Sequence, residues 1–145
     1  MESIIQIYDT TSNEERSYLV NQLTKFNHTK IKGPFKQEDP VLYFSKCMKK
    51  DNEVVGGILA NMYWGILYID ILWVDEKYRN KGYASALLSD IERMAKEKNC
   101  TISHLSTYDF QAKGFYEKLG YKVFGILEDC PLEGHSLYYM SKKFL

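Results

Sequence analysis

The sequence predicts a mixed α/β fold, a mostly antiparallel central sheet with helices on its faces. Three observations carry this. Residues 41–74 fall into three β-prone runs divided by short turns, as in an antiparallel meander. After them, Ala84, Leu87, Leu88, Ile91 and Ala95 recur three and four apart, the spacing of one apolar helix face. Strand-like runs lie on both sides of that helix, at Leu67–Val74 and Thr101–Thr107. A helical crossover between two strands makes them parallel neighbours.

Taken in order, Ile4–Tyr8 reads as a short strand with Ile5 and Ile7 on one face. Ser12-Asn13-Glu14-Glu15 fits a capping box. It predicts a helix through about Phe26, with Leu19, Leu23 and Phe26 toward the core. Asn27–Pro40, with His28, Lys30, Lys32, Gly33, Pro34 and Lys36, reads as a loop or a broken helix. Both a solvated connection and a substrate-facing segment fit it. The meander consists of Val41–Lys49, Glu53–Met62 and the run from Leu67, with turns at Asp51-Asn52 and Tyr63-Trp64-Gly65. Past the central helix and the Thr101 strand, a helix from about Phe110 to Leu119 stops at Gly120 as its C′ residue. Ala112, Phe115 and Leu119 form its core face. Two strands, Tyr121–Leu127 and Ser136–Phe144, finish the chain, joined by Glu128–His135.

The 145 residues suit one domain spanning 1–145, with 45% apolar residues for a core. Nineteen basic and nineteen acidic side chains cancel, which implies no general attraction to nucleic acid or to an anionic membrane. No signal peptide and no membrane span is expected. Cys47, Cys100 and Cys130 are odd in number and widely spaced, which suits reduced thiols and a cytoplasmic location. The histidines His28, His104 and His135 show no metal spacing, so no metal is expected.

The chain is organised around 67–95, which reads LYIDILWV, DEKYRNK, GYASALLSDIERMA. A strand here feeds a charged turn and then a helix. The first N–H groups of a helix have no partner within it, and its dipole favours negative charge there. Such a junction is a ready phosphate site. Gly82 lets a bulky group reach the backbone, and Lys77, Arg79 and Lys81 add positive charge. The dinucleotide pattern G-x-G-x-x-G and the phosphate-loop pattern G-x-x-x-x-G-K-[ST] both fail, because Gly82 is the one glycine in the turn.

What fits is R-x-x-G-x-A at Arg79-Asn80-Lys81-Gly82-Tyr83-Ala84. It resembles the Q/R-x-x-G-x-G/A pyrophosphate signature of the GNAT (GCN5-related) N-acetyltransferases. A second segment, Ala112-Lys113-Gly114-Phe115-Tyr116-Glu117-Lys118-Leu119-Gly120-Tyr121, resembles that family's A-x-x-F-Y-x-K-L-G-F/Y. With the strand order, the resemblance covers nearly the whole chain. Two departures stand out. Asp109 occupies a position where many members have Asn, which puts an amide contact to pantetheine in doubt. Ala84 stands where glycine is common.

The resemblance implies a GNAT-like sheet in which the parallel strand pair splays apart, with acetyl-CoA as co-substrate. It places the pyrophosphate on the amides of Asn80, Lys81, Gly82, Tyr83, Ala84 and Ser85, with Arg79 beside them. Pantetheine would lie along Leu72, Trp73 and Val74, and the Val74 N–H would face the developing oxyanion. Tyr116 becomes the acid that returns a proton to the CoA thiolate. For the base, Asp70 lies four residues before Val74, which in a regular strand puts it on the face of Leu72 and Val74. A carboxylate on such a strand is paired or faces a cavity. It suits a base, a cation-binding group, or a structural hydrogen-bond partner. Glu128, Asp129 and His135 compete as base and as acceptor-binding residues.

The expected activity is acetyl transfer from acetyl-CoA to a primary amine by direct attack, with a small-molecule acceptor favoured. A protein amine, O-acylation, a longer acyl-CoA and a non-catalytic CoA-binding sensor or regulatory module are the alternatives. A homodimer is compatible with the resemblance.

Overall fold

A computed structural model describes residues 3–36 and 39–144. The chain forms two compact units, Met1–Glu38 and Asp39–Leu145. In the first, helix α1 spans Asn13–His28. Its capping box is present: Ser12 Oγ accepts from the Glu15 amide at 3.1 Å, and the Ser12 amide donates to Glu15 Oε1 at 2.8 Å. Those bonds hold the Glu15 carboxyl below the usual range.

Two expectations for this unit are corrected. Ile4–Tyr8 forms no strand, since none of the described ladders includes it. Leu19, Leu23 and Phe26 find no core within their own unit; they are 57–60% exposed. Among the described residues the unit has a single helix and no second element to cover its apolar side. Residues 37 and 38 of the expected 27–40 loop lie outside the described residues.

The second unit carries a six-stranded sheet in the order β1-β2-β3-β4-β6-β5. β1 (Leu42–Lys50), β2 (Glu53–Tyr63) and β3 (Ile66–Val74) are the expected antiparallel meander. Two-residue loops join them, with Asp51 and Asn52 at φ 50 and 68, and Trp64 and Gly65 at φ 51 and 77. Positive φ at both loop residues matches the twist of paired strands. β2 passes β1 closely at Gly57, where a Cβ would lie 2.7 Å from the Lys46 carbonyl oxygen. β4 (Ile102–Tyr108) follows helix α2 (Tyr83–Glu97), and β6 (Ser136–Lys143) lies between β4 and β5 (Lys122–Glu128).

Two irregularities shape the site. The β2–β3 register shifts so that Leu59 faces Ile71 and Ala60 faces Ile69. Asp70 is left over as the extra residue of a β-bulge. The bulge breaks the alternation that would put Asp70 on the face of Leu72 and Val74. The parallel pairing of β3 with β4 is also short, confined to Ile66–Tyr68 against Ile102–His104. Beyond it the strands part, as the expected splayed pair requires.

α2 packs across β1, β2 and β3. It buries Leu87, Leu88, Ile91 and Ala95, as its spacing predicts, and also Glu92. Glu92 Oε2 accepts from the Tyr121 hydroxyl at 3.0 Å, and Lys142 Nζ donates to Glu92 Oε1 at 3.0 Å. The Tyr121 hydroxyl also meets Ser103 Oγ at 2.8 Å. Burial, with Glu92 alongside, pushes the Tyr121 phenol well above its ordinary range.

Helix α3 is shorter than expected, Lys113–Lys118. Side chains hold the stretch before it in a turn: Gln111 Oε1 accepts from the Tyr108 amide at 2.8 Å, and Thr107 Oγ1 from the Ala112 amide at 3.3 Å. Its buried residue is Tyr116, while Ala112, Phe115 and Leu119 are only partly covered. Gly120 ends it at φ 95, as the glycine stop predicts.

Candidate active site

The end of β3, the turn after it and the start of α2 form one construction. Asp75 caps a 3-10 turn, Glu76–Tyr78, accepting from the Lys77 amide at 2.9 Å. Arg79 Nε reaches back to the Val74 carbonyl oxygen at 2.8 Å, so this arginine braces the strand end as well as adding charge. Asn80 and Gly82 both take left-handed backbone, at φ 61 and 83. Gly82 is the N-cap of α2, and a Cβ there would meet nothing within 4 Å. The first turn of α2 carries no acidic residue and no side-chain cap. Its N–H groups are therefore open to an external anion.

These residues bound a cavity of about 620 Å³. β3 contributes Leu72, Trp73 and Val74; the turn contributes Tyr78, Arg79 and Asn80; α2 contributes Gly82 to Ser85. The far wall is Phe110, Gln111 and Ala112, with Phe115 and Tyr116 of α3. One backbone group is directed by the ladder itself. Val74 is opposite Gly56, and the Asp75 amide bonds the Val55 carbonyl at 2.8 Å. That makes Val74–Gly56 a non-hydrogen-bonded pair, so the Val74 N–H points away from β2, into the gap where β4 has parted.

Tyr116 is 8% exposed and lines the cavity. Its ring sits edge-on to Phe115 and Tyr121. Its hydroxyl makes no hydrogen bond among the described residues. Burial pushes the phenol up to about 12, so it is protonated at neutral pH.

Of the cofactor-side residues expected from sequence, all but Lys77 and Lys81 line the cavity. Lys81 is directed instead to the Tyr78 ring, 5.9 Å from its centroid. The acceptor-side residues do not line it. Asp70 is exposed in the bulge and makes no hydrogen bond or ion pair among the described residues. Glu128 belongs to β5 rather than to the loop, paired with Ser136. Asp129 closes its own loop, accepting from the Gly134 amide at 3.1 Å. His135 is drawn to Asp109, Nδ1 lying 3.3 Å from its carboxylate. Among the described residues no group of three or more His, Cys, Asp and Glu is placed to hold a metal.

Sequence reasoning missed Tyr78, Phe110, Gln111 and Phe115 as cavity walls. The signal for Tyr78 was an aromatic residue inside an otherwise charged turn. Phe110 and Gln111 adjoin the second motif, and Phe115 lies inside it.

A sequence model of the Acetyltransferase (GNAT) family matches residues 2–121. A blasticidin-S acetyltransferase from Streptomyces morookaense is 32% identical over 123 residues, 83% of this chain and 85% of the relative. The crystal structure of an acetyltransferase from Bacillus cereus superposes with a TM-score of 0.82 at 36% identity, covering 96% of this chain and 98% of that one. An enzyme assigned as a streptothricin acetyltransferase from Bacillus anthracis, solved with acetyl coenzyme A, gives 0.63 at 25% identity, over 74% of this chain and 65% of that one.

Proposed function

The chain belongs to the GNAT acetyltransferase family, and from that membership we propose that it moves the acetyl group of acetyl-CoA to a primary amine of a small, cationic molecule. One observation supports this above the rest. An uncapped helix N-terminus, a free strand amide at Val74 and an unbonded phenol at Tyr116 open on one cavity, where the sheet stops pairing. The relative named for acetylating blasticidin S supports a small-molecule acceptor.

Acetyl-CoA supplies an activated acetyl group, whose carbonyl carbon gains a bond to nitrogen as its bond to sulfur breaks. The chain's own groups divide the remaining work. The open amides at the start of α2 and the Arg79 side chain hold the pyrophosphate. The Gly82 conformation keeps those amides uncovered. The Val74 N–H donates to the carbonyl oxygen as it gains negative charge; one such donor is worth ~10²–10³ in rate. Tyr116, protonated at neutral pH, returns a proton to the departing sulfur. Asp70, exposed at the bulge outside the cavity lining and without a hydrogen-bond or ion-pair partner among the described residues, is left to hold the acceptor as a cation.

The test is thiol release from acetyl-CoA with a panel of amines, read with a chromogenic disulfide. Amine-dependent thiol release with an acetylated product supports the reading. CoA binding with no thiol release from any amine overturns it in favour of a sensor module.

A further inference from the structure

Beside the cavity lies a carboxylate–imidazole pair that belongs to neither motif. Asp109 follows the last residue of β4, and His135 precedes the first residue of β6. His135 Nδ1 is 3.3 Å from both Asp109 oxygens. Both residues are tethered. The Asp109 amide donates to the Ser136 carbonyl at 3.0 Å, and the Ser136 amide to Asp109 Oδ1 at 3.4 Å. Burial pushes the Asp109 carboxyl up, but the bonds from His135 and Ser136 outweigh it, and the net shift is downward. An ionised Asp109 can only accept, so in the neutral ring the proton is on Nδ1 and the Nε2 lone pair is free. The imidazole also meets the Phe110 ring edge-on, at 5.4 Å and 90°. Phe110 lines the cavity and stacks on Tyr108 at 5.2 Å. The ring is thus held in one tautomer against the outer side of a cavity wall.

We propose that His135 takes the proton from the acceptor amine, with Asp109 as the residue that positions it. This rests on the acetyl-transfer reading above. The attacking amine nitrogen, already neutral, bonds the acetyl carbon and gives one proton to His135 Nε2. The carbon–sulfur bond breaks, and the sulfur takes a proton from Tyr116. His135 returns its proton to water, its side chain being 44% exposed, and the tyrosine is reprotonated from solvent.

The geometry favours His135 over Asp70 for this step. Neither residue lines the cavity, but His135 rests on Phe110, which does, whereas Asp70 has no orienting partner among the described residues. Imidazole is also the side chain most often found as a general base. The charged groups around His135 are Asp109 from the end of β4, and Asp129 and Glu133 from its own loop. The Asp129 carboxylate is turned to the Gly134 amide, and among the described residues Asp109 is the ion-pair partner of His135. The signal in the sequence was Asp109 itself, a carboxylate where the resemblance expects an amide.

The experiment is steady-state kinetics across pH on the full chain, with an amine from the thiol-release screen. It uses His135→Gln, His135→Ala, Asp109→Asn and Asp70→Asn, with CoA affinity measured for each. We expect His135→Gln to lower kcat by about 10²-fold, to abolish the acid limb of the rate profile, and to leave CoA affinity unchanged. Added imidazole should restore rate to His135→Ala. Asp109→Asn, whose amide lets the ring change tautomer, should lower kcat about 10-fold and displace the acid limb. Wild-type kcat with an intact acid limb in His135→Gln overturns the proposal, as does loss of that limb in Asp70→Asn alone. A wild-type protein that binds CoA but acetylates no amine overturns the acetyl-transfer reading itself, before any variant is compared.

Discussion

Tyr116, Gly82 and Asp70 are where single side chains decide the chemistry. The Tyr116 phenol is a proton donor because burial, and no charged partner, lifts it to about 12. Tyr116→Phe removes the hydroxyl and keeps the ring. A thiolate is a stable leaving group, with a reference thiol pKa near ~8.5, so kcat should fall only about 10- to 10²-fold. An alkaline limb below pH ~10 should survive in the variant, since the phenol ionises above it. The raised pKa also bears on stability. The folded state keeps a proton that the unfolded chain loses near pH ~10, so this contribution is whole below that pH and is lost as pH rises through the folded value. Melting curves of Tyr116→Phe should therefore decline less steeply above pH ~10 than those of the wild type. At Gly82 an added Cβ would meet no protein atom within 4 Å, so a valine would stand in the open space where the phosphates approach. Its strain comes from φ 83. Gly82→Val should lose at least ~10-fold in CoA affinity, ~1.4 kcal/mol, by calorimetry on a folded variant. Asp70→Asn separates two roles. A cation-binding carboxylate predicts a KM for the amine raised about 10-fold with kcat nearly constant, ~1.4 kcal/mol of ground-state binding. A fall in kcat at constant KM would make Asp70 the base instead.

At the scale of elements, what could be read in advance was whatever announces itself locally. The capping box starts α1 where Ser12 and Glu15 require. The three-and-four spacing located the buried face of α2, and the β3–α2 crossover dictated a parallel neighbour. The elements misread depended on something non-local. A strand exists only through its partner, and the alternation in Ile4–Tyr8 says nothing of one. The bulge at Asp70 is a property of two registers, visible in neither strand alone, and it undid the face assigned to that residue. α3 shortened because Thr107 and Gln111, polar residues with no periodic signature, claim backbone groups that a longer helix would use. The site divides the same way. The cofactor side is a contiguous turn and was legible almost residue by residue. The His135–Asp109 contact joins positions 26 residues apart, and its one local sign is Asp109, a carboxylate where the resemblance expects an amide.

For the sheet-bearing unit as a whole, the question is what holds its halves together. β1, β2 and β3 share α2, whereas β4, β6 and β5 form the other half, and the two meet through a short parallel ladder. The Glu92 network spans the same divide. It ties α2 to Ser103 on β4, to Tyr121 before β5 and to Lys142 on β6. A buried carboxylate so bonded is costly to disturb, because each former partner is left unsatisfied. Glu92→Gln keeps the shape and removes the charge. Urea unfolding should show a loss of about 1.5–3 kcal/mol, the range for hydrogen bonds to charged groups.

The early end of the β3–β4 ladder gives this sheet four margins instead of two. Besides the outer flanks of β1 and β5, it has inner flanks on β3 and β4 whose peptide groups face one another across open space. In an ordinary sheet the centre is the last place where solvent deuterium enters. Here the amides of Ile69–Val74 that point away from β2 should exchange about as fast as those of a peripheral strand, although hydrophobic core lies beside them. A peptide-like pantetheine arm would act as the absent rung, so saturating CoA should slow exchange along this inner margin while leaving β1 and β5 at their own pace.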